Sequence, residues 1–302
     1  MNRPIELPLS CGVFSTNYSI CTTWSIYEIN RKVDTKMKLK LLIEKIEDFA
    51  PVSLAESWDN PGLIVGDPDQ DITSAVLCLD VTEKAFQMCR ERGAQLCLCH
   101  HPFLFDAIKK MDFSDPYYQL LRKFIQADIA IYAAHTNLDA CVGGVNDALS
   151  DMLGLDVTAT FLPKEAPFDF QKTLVPGMGR ICVQREETSL FDFYHSLVNR
   201  LQTSGCHINF DRDRTVGKIL VAGGSYDSLW NQDVLDNHVD VVISGEIKHR
   251  DMVFFDRNGI AAIAAGHDAT ERPILQALAG QMNSADLGVE FEVCPSVHNW
   301  MV

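Results

Sequence analysis

The sequence predicts an α/β protein of two similar halves, and three observations carry that expectation. Short apolar, β-branched runs at 75–79, 95–100, 129–134, 218–222, 239–246 and 260–265 alternate with segments of helical period, the pattern of helices packed on a largely parallel sheet. The order strand, helix, strand, helix, strand recurs after about 130 to 145 residues and reads as a duplication, with the two halves facing one another. A stretch rich in Pro and Gly over 156–180, without a strong period, stands between them.

Taken in order, apolar residues at 39, 42, 43, 46 and 49 give an amphipathic first helix. Residues 56–67 form a loop punctuated by Asn60-Pro61-Gly62 that runs into a short strand. The run Ala75 to Leu79 ends at Asp80, and Thr82 is a good cap for a helix over 83–92. After the strand at 95–100, Tyr117, Leu120, Leu121, Phe124 and Ile125 line one face of a helix over 116–127. Gly143-Gly144 leads to a helix near 145–153 that Gly154 can close. The domain boundary falls at the start of the irregular stretch, so the halves are 37–155 and 156–302. In the second half Arg180 to Val183 read as a strand, and Leu190, Phe193, Leu197, Val198 and Leu201 line a helix. Pro273 suits the first turn of a helix whose Ile274, Leu275 and Leu278 face inward. Gly288 to Val293 alternates as a strand with one solvent face.

With 302 residues, 47% apolar content and 22% charge, the chain has the makings of a soluble protein with a sizeable core. No apolar run reaches the roughly 18 to 20 residues of a membrane-spanning helix. The 26 basic residues against 41 acidic ones, a formal charge of −15, argue against direct nucleic-acid binding, which needs clustered Lys and Arg. Ten cysteines are scattered without a Cys-x-x-Cys pair, which suits a reducing compartment and a cytoplasmic protein. Residues 1–36 lack the period that starts at Met37. They read as a disordered extension, a weak mitochondrial targeting segment or an artefact of start-site assignment, and a nuclear location also stays open.

The chemistry converges on three run ends. Leu96-Cys97-Leu98-Cys99 closes on His100-His101-Pro102, delivering two imidazoles where proline stops further pairing. The runs at 129–134 and 260–265 end in His135-Thr136-Asn137-Leu138-Asp139 and His267-Asp268-Ala269-Thr270-Glu271, each a histidine followed four places later by a carboxylate. Nitrogen and oxygen donors without cysteine suit Zn, Mn, Fe, Co or Ni. These donors exceed what one tetrahedral structural site needs, and a bridging carboxylate would hold two divalent ions. The reaction class is then hydrolytic. Taken singly, each histidine has a duller reading as a hydrogen-bonded structural residue, and it is the recurrence that favours metal. His195, His207, His238, His249 and His298 lack such context. Gly223-Gly224 reads as a tight turn.

The motifs Trp58-Asp59-Asn60-Pro61-Gly62-Leu63, Cys99-His100-His101-Pro102, His135 to Asp139, Gly143-Gly144-Val145-Asn146, Gly177-Met178-Gly179-Arg180, Ser244-Gly245-Glu246 and Ala265 to Arg272 resemble, in order, those of the NGG-interacting-factor-three-like family, also described as GTP cyclohydrolase I type 2 homologues. The resemblance covers residues 37–302. It implies two similar three-layer α/β/α halves with two metal ions between them, and a ring-shaped homohexamer. It implies His100, His101, Asp139, His267 and Glu271 as metal ligands, Glu271 being the bridge. His135 is then a supporting or substrate-facing group that shuttles protons, so His135 and Glu271 are the expected catalytic residues. The interval 183–217 is too short for the domain that some members insert. The family's names imply a hydrolase acting on a nucleotide or another small cyclic or phosphate-bearing substrate, and protein partners in transcription. The alternative is a metal-stabilised scaffold without turnover. No P-loop motif is present to argue for a nucleotide.

Overall fold

The computed structural model describes residues 36–164, 174–210 and 212–296. The expected extension lies outside these residues except for Lys36, and Cys11, Cys21 and His298 also lie outside them. A two-residue strand, β1 (Met37–Lys38), leads into α1 (Leu39–Phe49). There follow β2 (Gly62–Val65), β3 (Asp71–Ile72), β4 (Ser74–Cys78), α2 (Glu83–Arg92), β5 (Leu96–Cys99), α3 (Pro116–Gln126), β6 (Ala130–Ala133), α4 (Thr136–Ala140) and α5 (Val145–Leu153). The second part contains β7 (Leu155–Pro163), β8 (Gly177–Gln184), α6 (Leu190–Leu201), β9 (His207–Ile208) and β10 (Ile219–Ser225). It closes with α7 (Asn231–Asp236), β11 (Val241–Glu246), α8 (His249–Arg257), β12 (Ala261–Ala264), α9 (His267–Ser284) and β13 (Glu290–Val293).

Two large sheets result, one in the order β13-β4-β5-β6-β2 and one in the order β7-β8-β10-β11-β12-β9. The trio β4, β5, β6 is parallel, and so is β10, β11, β12. Successive side chains of a strand point to opposite faces. Ala75 and Leu77 therefore enter a core with α1 and α9, while Val76 and Cys78 enter another with α2 and α3. In the second sheet Val221 and Ile243 pack with α5 and α6, and Leu220 and Val242 with Val234 of α7 and Phe255 of α8. Both faces of both sheets are thus covered by helices, the three-layer arrangement expected. A fully buried leucine such as Leu42 contributes roughly 2 kcal/mol to such a core.

Local signals act as the sequence suggests. Thr82 Oγ1 accepts from the Ala85 N–H at 3.2 Å, and Gly154 closes α5 at φ 71°. Two expectations need correction. The stretch read as irregular contains most of β7 and the start of β8, an antiparallel hairpin. β7 is an edge strand whose Asp156, Ala159 and Thr158 leave no clean alternation, so its order comes from pairing with β8 rather than from its own pattern. Pro273 lies inside α9, not in its first turn, because the helix already starts at His267. The Ala269 carbonyl forfeits its helical donor there, and burial of Ile274, Leu275 and Leu278 keeps the helix going.

Two features join the sheets. Strand β13, last in the chain, pairs in parallel with β4. Helices α5 and α9 serve both cores: Val145, Ala148, Ile274 and Leu275 face the first, while Leu149, Leu153 and Ala269 face the second. The first turns of α9 therefore lie where the two sheets meet.

Candidate metal centre

Every predicted donor sits just beyond the carboxyl end of a parallel strand, the usual position of sites in open α/β sheets. His100 and His101 follow β5, and their N–H groups bond to the carbonyls of Cys78 at 3.0 Å and Leu79 at 2.9 Å. His135 follows β6, and Asp139 lies one turn on in α4. His267 opens α9, and Glu271, four residues later on the same helix face, points the same way. Gly224 and Glu246 stand at the ends of β10 and β11.

The side chains converge. His100 Nε2 lies 3.5 Å from Asp139 Oδ1 and 3.5 Å from Glu271 Oε1. Glu271 Oε1 is 3.0 Å from His267 Nε2, and its Oε2 is 3.1 Å from His101 Nε2. Three overlapping donor sets, each with ligand atoms within 4.8 Å of one another, can hold a metal ion: His100, His101, His135; His101, His267, Glu271; and His100, Asp139, Glu271. His100, His101 and Glu271 each belong to two of them, and Glu271 is the carboxylate that does so. None of His195, His207, His238 or His249 enters a set among the described residues. All six predicted residues are brought together, with His135 placed to be either a donor or a neighbour of the donors.

The ring orientations are fixed from behind. His100 Nδ1 donates to the Ala134 carbonyl at 2.8 Å, His101 Nδ1 to Asp80 Oδ1 at 2.8 Å, and His135 Nδ1 to Asp59 Oδ1 at 2.7 Å. His267 Nδ1 lies 3.4 Å from Glu246 Oε1. Such partners set the tautomer and leave Nε2 to face the ligand. Sequence reasoning gave Asp59, Asp80 and Glu246 no role of their own: Asp59 and Glu246 stood in motifs it quoted, and Asp80 only marked a strand end.

Buried polar atoms should have partners, yet His100 Nε2, Asp139 Oδ1 and Glu271 Oε2 are buried without a hydrogen bond. The 3.1 Å contact from His101 to Glu271 lacks the alignment of one. Gly224 completes the space. At φ +69° its missing Cβ would lie 2.5 Å from Glu271 Oε1 and 3.6 Å from His267 Nε2. The orphaned lone pairs, the mixed nitrogen and oxygen donors and the glycine cradle fit divalent cations.

Electrostatics give the same picture. Burial raises the Asp139 carboxyl, outweighing the lowering by His100. Burial also works against ionised Glu271, but the imidazoles of His100, His101 and His267 hold it well below the usual carboxylate range. For His101, burial opposes protonation, while the hydrogen bond to Asp80 and the nearby Glu271 carboxylate prevail and push its pKa up to about 10. A cavity of about 440 Å³ whose lining includes Arg200, Arg272 and Pro273 contains none of the donors.

A family model described as Duf34/NIF3 (NGG1p interacting factor 3) matches residues 37–299. A Clostridium perfringens protein named GTP cyclohydrolase 1 type 2 homolog is 31% identical over 258 residues, 85% of this chain and 96% of its own length. A Schizosaccharomyces pombe protein named Protein NIF3 homolog is 29% identical over 253 residues, 81% of this chain and 87% of its own. The crystal structure of a Staphylococcus aureus protein superposes with a TM-score of 0.80 at 23% identity, over 88% of this chain and 99% of that one. That likeness establishes a shared fold.

Proposed function

The chain belongs to the Duf34/NIF3 family, and from that premise and its donor cluster we propose a dinuclear metal-dependent hydrolase. Its substrate would be a nucleotide or another small cyclic or phosphate-bearing molecule. The observation that carries the reading is the place of Glu271, buried and shared by two donor sets that draw on both sheets. His100, His101, Asp139, His267 and Glu271 would hold two divalent ions of the Zn, Mn, Fe, Co or Ni class. Bound ions at such a site supply Lewis acidity and a water activated at neutral pH. His135, with Nδ1 committed to Asp59, has Nε2 free to take a proton from the attacking water or return it to a leaving group. The name of the Clostridium relative supports a cyclic substrate. We extend the proposal to a ring-shaped homohexamer in the cytoplasm, for which light scattering should give six copies.

Elemental analysis of wild-type protein and Glu271→Gln tests the reading. About two ions per subunit in the wild type, falling below one in the variant together with loss of turnover on a panel of nucleotides, phosphodiesters and cyclic amides, is the expected result. The second reading, a scaffold whose ions only clamp the sheets, is favoured by the site's location at the junction of both cores. It predicts full metal content, no turnover of any substrate, and protein-partner binding that survives His135→Ala.

A further inference from the structure

The proposed hydrolase reading leaves the substrate class open, and two aromatic rings at the edge of the donor cluster narrow it. Trp58 is 59% exposed and Phe105 is 46% exposed, large apolar faces left in water beside a charged site. Their centroids are 6.0 Å apart at an interplanar angle of 48°. Both also meet His135 edge-on, Trp58 at 6.3 Å and 74°, Phe105 at 6.4 Å and 83°. His135 in turn lies 5.3 Å from His100 and 5.6 Å from His101 by ring centroid.

These rings are held in place. Asn60 Nδ2 donates to the Leu104 carbonyl at 2.6 Å, joining the residue two beyond Trp58 to the residue just before Phe105. Asp59, between Trp58 and Asn60, accepts from His135 at 2.7 Å and from the Thr136 N–H at 3.1 Å. The Glu56 N–H donates to Thr136 Oγ1 at 2.9 Å. Three loops, at 56–60, 103–105 and 135–136, are thereby locked into one assembly. Its aromatic surface is preorganised around the proton-handling histidine, and loops merely shedding exposed side chains would have no need of such staples. Preorganised aromatic faces bind planar ligands at little entropic cost.

We propose that Trp58 and Phe105 form a stacking subsite for a planar heteroaromatic ring of the nucleobase class, holding it beside His135 with its polar edge toward the donor cluster. This rests on the proposed metal-centre reading and adds a ring to it. Stacking tolerates any base, since every base has a π face, and contributes enough that removing one aromatic partner costs about tenfold or more in affinity.

The test uses the full-length, metal-loaded protein with guanosine, adenosine, cytidine and uridine as probes and ribose as the ring-free control, binding being read by calorimetry. At least one nucleoside should bind and ribose should not. Trp58→Leu and Phe105→Leu should each weaken the nucleoside about tenfold or more, with metal content unchanged, while Trp58→Phe should retain most of the affinity. Unchanged metal in the leucine variants shows that they are folded. The proposal is overturned if no nucleoside binds the wild type, if ribose binds equally, or if both leucine variants bind like wild type. It is equally overturned if the leucine variants change only the subunit stoichiometry, which would make the rings a contact between copies of the chain. Trp58-dependent nucleoside binding by protein that holds no metal would sink the hydrolase reading and leave the ring subsite standing.

Discussion

Asp59 Oδ1 accepts a hydrogen bond from His135 Nδ1 at 2.7 Å across 76 residues of sequence. The other carboxylate oxygen takes the N–H and the hydroxyl of Thr136, so a single buried side chain fixes both the turn after β6 and the tautomer of the imidazole that turn carries. The same carboxylate sets the acid behaviour of this corner of the site. Burial opposes its ionisation, but the hydrogen bonds from His135 and Thr136 prevail and lower its pKa to about 2.

Replacing Asp59 by alanine leaves the His135 ring and the Thr136 hydroxyl without their acceptor, which costs roughly 1–3 kcal/mol. The urea midpoint should fall at neutral pH with little change in the slope. The acid limb separates this role from packing. A carboxyl whose folded pKa lies below its unfolded value of 3.8 adds stability that is present above that value and lost as pH falls through about 2. Wild type should therefore lose stability across that window more steeply than Asp59→Ala. Parallel curves would show that the carboxylate does not titrate with folding.

Metal uptake should displace protons. His101 carries a proton at neutral pH in the metal-free protein, since Asp80 and Glu271 push its pKa up to about 10 against the opposing effect of burial, and an imidazole must be neutral to coordinate. Titrating zinc or manganese into chelator-treated protein in buffers of different ionisation enthalpy should show release of at least about one proton per subunit at pH 7. Affinity should rise with pH between 6 and 8. Binding with no proton release would mean that His101 is not a ligand.

Gly224→Ala should act on the site from the backbone. A Cβ there would lie 2.5 Å from Glu271 Oε1, and the positive φ of 69° adds about 1 kcal/mol of strain for any L side chain. We expect metal content to drop while the circular dichroism of the sheets stays native. Gly280→Ala, where nothing lies within 4 Å of the added atom, is the control and should leave metal content alone.

Chelation should loosen the junction of the sheets. The buried, unpartnered His100 Nε2, Asp139 Oδ1 and Glu271 Oε2 would gain partners from a bound ion. Free metal at about a thousand times its dissociation constant stabilises the folded state by roughly 4 kcal/mol. That corresponds to a rise in Tm of about 6 °C for a chain of this size. Equal Tm values with and without metal would remove the ion from any part in stability.

The sequence by itself determined the alternation of strands and helices, the parallel character of the sheets, and six candidate site residues, because burial writes a period into local sequence and strand ends carry histidines and acids at fixed spacing. His100-His101 and the paired His-x-x-x-acid motifs needed no partner to be noticed. Tertiary structure alone decided the rest. The β7–β8 hairpin and the return of β13 to β4 depend on hydrogen bonds between residues far apart, which leave no local pattern. The roles of Asp59, Asp80, Glu246 and Gly224 arise only when two sheets and α9 bring their strand ends within a few ångströms, since a carboxylate in a turn looks the same whether it faces water or an imidazole.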